Sequence, residues 1–269
     1  MRSMFCVPKG SVQIGCDADG LEARVEAHYC LPYNGKEYAK ALVSPKPHDI
    51  HSVNAEKMGV DRDSAKVLKY SSSYGAQPPK IAKQMGWSLD HAQRVFNAFW
   101  EASKPLALLK KALEKHWTDN DKKFIVGVDG RKLMARSRHS LVNTLFQSAG
   151  VICMKRAAVY WDRWVRDENL EAEAIIFYHD ESQMEEHTRN VKIKSFKSEE
   201  EAEEWKAQME ESTGKVFSDI GHANGVWWCG YSRAGELAVK SIEEGGKFYN
   251  LRVDLTAGYQ LGRNWAQCH

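Results

Sequence analysis

Two groups of carboxylates, far apart in the sequence, each follow a short apolar run that is typical of a β-strand. Residues 12–16 lead into Asp17, and residues 174–178 are followed by Asp180 and Glu181. A strand end holds a carboxylate rigidly and leaves it accessible, and hard oxygen ligands of this kind suit Mg²⁺. If one sheet brings Asp17 and Asp180 together, the pattern predicts a two-metal site for phosphoryl transfer.

Each carboxylate group also has a simpler interpretation. Asp17 and Asp19 are of a residue type that caps helices, and a helix is predicted to begin near Leu21. Asp180 and Glu181 would also suit the solvent-exposed tip of a hairpin, where water relieves the repulsion between neighbouring acids. The local sequence leaves both alternatives open.

Cationic and aromatic side chains recur every four residues at Arg62, Lys66, Tyr70 and Tyr74. On an α-helix this spacing places them along one slowly drifting face. Arg and Lys would neutralise phosphates there, and the tyrosine rings would stack on a base or a sugar. The pattern therefore predicts a nucleotide-binding helix. The alternative is an ordinary surface helix with packed tyrosines and solvated cations.

A second four-residue repeat is polar and comprises His139, Asn143 and Gln147. Asn and Gln both donate and accept hydrogen bonds, which suits the shared acceptors of the DNA minor groove. Such contacts would check the shape of a base pair rather than its sequence. Ordinary polarity of a helix surface is the alternative.

The elements that must position these residues mix strands at both ends of the chain with a helical middle. Helices are predicted over 61–74, 87–115 with an interruption near Pro105, 143–166, 198–212 and 233–245, and a hairpin over 122–135. A further strand is predicted over 248–255, where apolar and polar residues alternate. This pattern fits a sheet interrupted by a long helical excursion.

Composition sets broad limits on the class of protein. The chain has 269 residues and 43% hydrophobic content, enough for one large domain or two small ones. Its 38 Lys and Arg against 36 Asp and Glu neither require nor exclude nucleic acid, because local patches of opposite sign cancel in the total. Six scattered cysteines indicate reduced thiols. No apolar run approaches the ~20 residues of a membrane span, so we expect a cytoplasmic protein without a membrane partner.

Four motifs in this order resemble those of family A DNA polymerases, especially the replicative enzymes of short-tailed bacteriophages and more distantly bacterial DNA polymerase I. They are DADGLEAR from Asp17, RDSAKVLKYSSSYG from Arg62, VDGRKLMARSRHSLVNTLFQSAG from Val128 and YHDE from Tyr178. The closing NWAQCH also looks like the end of the family's chains. Four ordered motifs at compatible spacing are far more specific than any one of them alone.

The resemblance implies an α+β fold, namely an antiparallel palm sheet with a mainly helical fingers insertion, without the thumb and exonuclease domains of a complete right-hand polymerase. Residues 1–32 would form the first part of the palm, 33–150 the fingers and connecting helices, and 151–269 the second part of the palm. The implied reaction adds deoxynucleotides to a primer 3′-hydroxyl with two Mg²⁺ ions as cofactors. Its partners would be primer–template DNA and deoxynucleoside triphosphates.

The resemblance also implies a role for each site residue. Asp17, Asp180 and the Ala18 carbonyl would bind the metal ions, with Glu181 as an auxiliary acid. Glu22 would block a ribose 2′-hydroxyl. The incoming nucleotide would contact Arg62, the catalytic Lys66, the helper His51 and, at the sugar, Tyr70. Template and primer would contact Tyr74, Gly75, Arg131, Asn143, Gln147 and His179.

Two features depart from the family pattern. The chain starts almost at the first metal motif, so we expect an N-terminal polymerase fragment to supply the thumb and exonuclease as a partner. Residues 189–230 are longer than the pattern predicts and form either an accessory contact or an extra packed subdomain. Two further functions remain open: a related single-subunit RNA polymerase, which Glu22 disfavours, and a non-catalytic fragment that binds DNA or a partner.

Overall fold

The computed structural model describes all 269 residues. The strands β1 to β9 are Ser11–Ala18, Phe124–Val126, Lys132–Met134, Ala172–Tyr178, Glu181–His187, Lys192–Phe196, Gly221–Ala223, Val226–Tyr231 and Ala257–Gly262. The helices α1 to α10 are Leu21–Cys30, Lys36–Val43, Ile50–Met58, Arg62–Ser73, Pro78–Met85, Leu89–Ala102, Lys104–Asp119, Leu141–Asp167, Glu199–Thr213 and Arg233–Phe248. None of these helices combines the length and the apolar character needed to cross a membrane.

The chain divides into two compact units. The first unit comprises Met1–Asp19, Val151–Asn250 and Asp254–His269, and the second comprises Gly20–Gly150 with Leu251–Val253. The first unit contains most of the strands, whereas the second is mainly helical. The assignment of residues to palm and fingers stays a prediction.

The first unit is built on a four-stranded antiparallel sheet with the order β4-β5-β1-β9. Strand β1 lies between β5 and β9, and residues 12–16 are buried. The C-terminal residues pass so close to β1 that a Cβ on Gly15 would collide with the Cys268 carbonyl oxygen. The strand that leads into Asp17 is therefore enclosed along its length and rigid.

Helix α10 packs on this sheet and is held close by small residues. It begins at Ser232, whose hydroxyl accepts a hydrogen bond from the Gly235 amide at 2.9 Å. A Cβ on Gly235 would lie 2.5 Å from the Tyr259 ring of β9. The Trp161 indole of α8 donates to the Ala234 carbonyl at 2.9 Å. These contacts fix the helices that support the sheet.

A second antiparallel sheet, with the order β6-β8-β7, occupies the region that is longer than the family pattern. Helix α9 packs on β6 and β8. Its Trp205 ring lies 5.5 Å from Phe196 and 5.4 Å from Phe217, between ring centroids. The Trp228 indole donates to the Leu261 carbonyl of β9 at 2.6 Å. These contacts favour the interpretation of a packed subdomain.

In the second unit, helix α4 has the boundaries that the sequence predicts. Asp61 caps its N-terminus, because the carboxylate accepts a hydrogen bond from the Ser64 amide at 2.8 Å. The helix ends at Tyr74, and Gly75 follows with a φ of +84°. A Cβ on Gly75 would also lie 2.7 Å from the Cβ of His139. Both the backbone angle and the close approach therefore require glycine at this position.

The predicted α+β class, with an antiparallel sheet and a mainly helical insertion, is confirmed. The helix interruption near Pro105 and the hairpin over 122–135 are also confirmed. The strand predicted over 248–255 is wrong. Helix α10 continues to Phe248, and Asn250 leaves it with a φ of +52°. The Arg252 amide then donates to His28 Nδ1 at 3.0 Å, so the apolar alternation there serves loop packing rather than a strand ladder.

Candidate active site

The first unit brings the two predicted carboxylate groups together on neighbouring strands. Asp17 of β1 is directly opposite Glu181 of β5 in the antiparallel register. The Ala18 amide donates to the Asp180 carbonyl at 3.1 Å. Helix α1 is preceded by Gly20 and has no side-chain cap, so neither Asp17 nor Asp19 caps it. The helix-cap alternative for these residues is therefore wrong.

Asp17 has the electrostatics of a crowded acidic site. Partial burial of the carboxyl group, and then the negative charges of Asp180 and Glu181, raise its pKa to about 6. No basic side chain forms an ion pair with Asp17 or Asp180. Such repulsion is relieved when a cation binds, because each carboxylate then gains an opposite charge. The chemistry of the Asp17, Asp180 and Ala18 oxygens fits a hard divalent cation.

The Glu181 carboxylate is bound to protein donors. Its side chain is 4% exposed. It accepts hydrogen bonds from the Trp265 indole at 2.5 Å and from the Gln183 amide at 2.6 Å, and His269 Nδ1 lies 3.0 Å away. No group of three or more His, Cys, Asp and Glu side chains is placed to hold a metal ion. The binding of a cation by Asp17, Asp180 and the Ala18 carbonyl therefore stays a prediction.

His179 occupies the apex of the hairpin that joins β4 to β5. The loop contains only His179 and Asp180, and His179 has a φ of +56°, a conformation in which histidine is enriched. Its ring packs edge-to-face on Tyr178 with centroids 4.5 Å apart. The tight turn fixes the position of Asp180 at the end of the hairpin.

In the second unit, Arg62 begins helix α4 and is bound to an acid that the sequence analysis overlooked. Its guanidinium forms an ion pair with Asp49, the N-cap of α3. Partial burial opposes the effect, but hydrogen bonds from Arg62 and Ser52 hold the pKa of Asp49 well below its usual range. Lys66, one turn further along α4, is exposed and forms no ion pair.

His51 and Tyr70 lie close together beside this pair. Their ring centroids are 5.9 Å apart. Burial, and then the positive charge of Lys69, lower the pKa of His51 to about 4, so that its imidazole is neutral at pH 7. The Nδ1 atom of His51 is buried and has no hydrogen-bond partner. The His51 ring is therefore neutral, and one of its nitrogens has no hydrogen-bond partner within the chain.

Tyr74 joins two other predicted residues. Its hydroxyl donates to the Glu22 carboxylate at 2.9 Å, and the Gln147 side chain also hydrogen-bonds it. Burial, and then the charge of Glu22, raise the pKa of Tyr74 above its usual range. Arg131 instead pairs with Asp129 in the β2–β3 hairpin. Asn143 has a buried oxygen with no partner.

Sequence reasoning missed four ionisable residues that contact these sites, namely Glu26, Asp49, Lys69 and His269. Glu26 and Lys69 form a buried ion pair at 2.7 Å. Their sequence positions could have indicated burial, because Glu26 and Lys69 each lie on a helix next to buried apolar residues, such as Val25, Ala27 and Leu68. Asp49 precedes a helix, where an acid is expected as a cap. His269 offered no signal, because only the fold brings the end of the chain to Glu181.

Comparisons with known proteins agree with these motifs. The model of DNA polymerase family A matches residues 1–225. The chain is 25% identical to the DNA-directed DNA polymerase of Escherichia phage Phieco32, over 98% of this chain and 41% of that protein. For the enzyme of Escherichia phage T7 the values are 32%, 54% and 22%. The chain therefore spans less than half the length of these relatives.

A solved structure shares the fold. It is the POL domain of Pol1 from M. smegmatis in complex with DNA primer-template and dNTP, with a TM-score of 0.70 and 15% sequence identity. The similarity covers 99% of this chain and 42% of that one. The family model spans most of the sequence and includes both strand-end aspartates. The chain belongs to DNA polymerase family A.

Proposed function

We propose that this chain carries the palm and fingers of a template-directed DNA polymerase, which adds deoxynucleotides to a primer 3′-hydroxyl. The observation that carries the proposal is the adjacency of Asp17, on β1, and Asp180, in the turn that leads into the paired strand β5, in a family A member. Two acids from distant parts of the sequence meet there, and neither forms an ion pair with a basic side chain. This is an arrangement that phosphoryl transfer needs and that structural stability alone disfavours.

Asp17 and Asp180, with the Ala18 carbonyl, would hold two Mg²⁺ ions. When bound, such ions favour ionisation of the primer hydroxyl and offset the charge of the leaving pyrophosphate. The chain's own part is to fix these oxygens on a rigid strand and a two-residue turn, so that little reorganisation is needed. Glu181 would act indirectly, by keeping the start of β5 bound to the C-terminal residues.

The second unit would bind the nucleotide. Lys66 is free to contact a phosphate, whereas Arg62 would share or leave its contact with Asp49 when the triphosphate arrives. His51 would donate or accept one hydrogen bond as a neutral ring. Tyr70 would pack on the sugar, and Glu22 would exclude a 2′-hydroxyl. Both cations would offset the negative charge that grows in the transition state.

The resemblance also assigns residues to template and primer contacts. Tyr74 and Gly75 would lie next to the templating base, with Arg131, Asn143 and Gln147 on the duplex and His179 at the primer terminus. Binding through phosphates should weaken steeply with salt. Because the chain spans 41% of the Phieco32 relative and 22% of the T7 relative, we propose that full activity requires an N-terminal polymerase fragment as a partner.

A primer-extension assay tests the proposal. The purified chain is incubated with primer–template, deoxynucleotides and Mg²⁺, alone and with the N-terminal part of such a polymerase, beside Asp17→Ala and Asp180→Ala. We expect weak extension alone, clear extension on complementation, and a loss of about 10³-fold or more in either variant. Extension that survives both substitutions would refute the metal site. DNA binding without extension in every arm would favour a non-catalytic DNA-binding fragment.

A further inference from the structure

Lys69 is a cation of helix α4 that no assigned role explains. Its side chain is 4% exposed, and its ammonium lies 2.7 Å from a Glu26 carboxylate oxygen on α1. The Tyr38 hydroxyl of α2 donates to the other oxygen of Glu26 at 2.5 Å. Three helices of the second unit therefore meet at one buried ion pair, in which the acid is satisfied on both oxygens.

Residues proposed to contact the nucleotide and the template adjoin this ion pair. The Lys69 ammonium lies 5.3 Å from the centroid of the Tyr70 ring, within the range of a cation–π contact. Glu22 precedes Glu26 by one helical turn and accepts a hydrogen bond from the Tyr74 hydroxyl at 2.9 Å. The seam between α1 and α4 thus has a buried link at Lys69 and an exposed link at Tyr74.

We propose that Lys69 is a positioning residue for sugar selection: held by Glu26, which Tyr38 holds in turn, it fixes the Tyr70 ring and the register of α4 against Glu22 of α1. This inference rests on the proposed function, because it assigns the choice of sugar to Glu22 and Tyr70. Ion pairs and hydrogen bonds are directional, whereas apolar contacts are not. An apolar seam of similar volume would therefore keep the helices packed without holding one register.

Three variants separate positioning from simple stability. Lys69→Met leaves Glu26 buried without its cation, so we expect the Tm to fall by about 10 °C. The double variant Glu26→Leu with Lys69→Met removes both charges, and its Tm should return to within about 3 °C of the wild type. Tyr38→Phe keeps the ion pair and removes one hydrogen bond, so it should fold even if the Lys69 variants do not. Lys115→Met, which breaks an exposed pair with Asp119 on α7, is the matched control.

The decisive readout is sugar selection in the primer-extension assay described above. In the double variant we expect the KM for deoxynucleotides to rise about tenfold and the preference for deoxyribose over ribose to fall about tenfold, with little change in kcat. Glu22→Ala is the positive control for lost selection, and Lys115→Met should match the wild type. A stable double variant with wild-type KM and selection would overturn the inference. If neither Lys69 variant folds, unchanged selection in Tyr38→Phe overturns it instead.

Failure of the proposed function is distinguishable from failure of this inference. If the wild-type chain extends no primer in any arm, the polymerase proposal fails, and calorimetric titration with Mg·dATP and Mg·ATP then tests the inference by itself. We expect the wild type to prefer dATP, and the double variant to lose that preference. Equal binding of the two nucleotides by the wild type, or an unchanged preference in the double variant, would overturn the role of Lys69.

Discussion

Each unit contains a pair of neighbouring ionisable side chains, but the two pairs differ in the sign of their charges. Asp17 and Asp180 in the first unit are both acids, whereas Glu26 and Lys69 in the second unit carry opposite charges. Asp17 on β1 and Asp180 in the turn before β5 lie close together, and the pKa of Asp17 is raised by burial and by its acidic neighbours. Glu26 and Lys69 are almost fully buried, but each has the opposite charge at 2.7 Å. The first arrangement costs stability as it stands, whereas the second is stable only while both partners are present.

The contrast indicates which charges serve chemistry and which serve the fold. Like charges that are held together by a rigid backbone persist where a ligand relieves them, so they mark a candidate site. A fully paired buried charge would be replaceable by apolar residues if it acted only on stability. Substitutions that lower activity without lowering stability, or that lower stability first, therefore test this contrast directly.

The largest effect is expected at Asp180. Asparagine keeps the size of the side chain and removes the charge, so Asp180→Asn should lower primer extension by about 10³-fold or more. The same change relieves the repulsion with Asp17, so the Tm should stay level or rise slightly. Extension rates and thermal unfolding, measured on one preparation, check the expected loss of extension and the expected retention of the Tm. A large fall in Tm together with the loss of extension would mean that Asp180 supports the fold instead.

Glu181, the next residue, should behave in the opposite way. Glu181→Ala leaves the Trp265 indole, the Gln183 amide and His269 without their acceptor. We expect the free energy of unfolding to fall by about 2–4 kcal/mol, as measured by denaturant unfolding. Gln in place of Glu181 keeps an acceptor and should recover part of the loss. A stability change no larger than that of Asp180→Ala would contradict a structural role for this carboxylate.

These two neighbours also show how far sequence reasoning reaches. The strand into Asp17, the cap at Asp61 and helix α4 follow from local apolar patterns and capping chemistry, which act over a few residues. The pairing of β1 with β5, by contrast, joins positions about 165 residues apart in sequence, and no local pattern encodes it. The resemblance implied that Glu181 is an auxiliary acid beside Asp180, yet its carboxylate contacts Trp265 and His269 near the C-terminus, which only the fold brings there.

The same limit explains the strand predicted over 248–255. Alternating apolar residues satisfy the pattern for a strand, but Leu255 instead packs on Gly246 of α10, where a Cβ on the glycine would lie 2.8 Å from the leucine Cγ. The helix therefore continues past the predicted boundary, because its glycines pack closely against their neighbours rather than ending it. Tertiary packing decides between two local patterns that the sequence alone leaves equal.

The smallest predicted effect concerns Glu186 of β5, a buried acid without a charged partner. It is 1% exposed, one oxygen accepts a hydrogen bond from the Ser232 hydroxyl, and the other has no partner. Burial raises its pKa, although hydrogen bonds from Ser232 and the Ala234 amide oppose the shift. Because the folded-state pKa lies above the unfolded value, Glu186 contributes its full stability below about pH 4.3, and that contribution is lost as the pH rises through the folded-state pKa.

Glu186→Gln removes this titration and keeps an oxygen for Ser232. We therefore expect it to raise the free energy of unfolding at pH 8 by on the order of 1 kcal/mol relative to the wild type, and to flatten the stability profile above pH 4. Glu185→Gln, at the adjacent and more exposed position of the same strand, is the matched control. It should change neither the free energy of unfolding at pH 8 nor the shape of the stability profile. Denaturant unfolding between pH 4 and 8 measures both variants. If Glu186→Gln lowered stability at pH 8, the ionised carboxylate would be satisfied in the fold, and Glu186 would resemble Glu26 rather than Asp17.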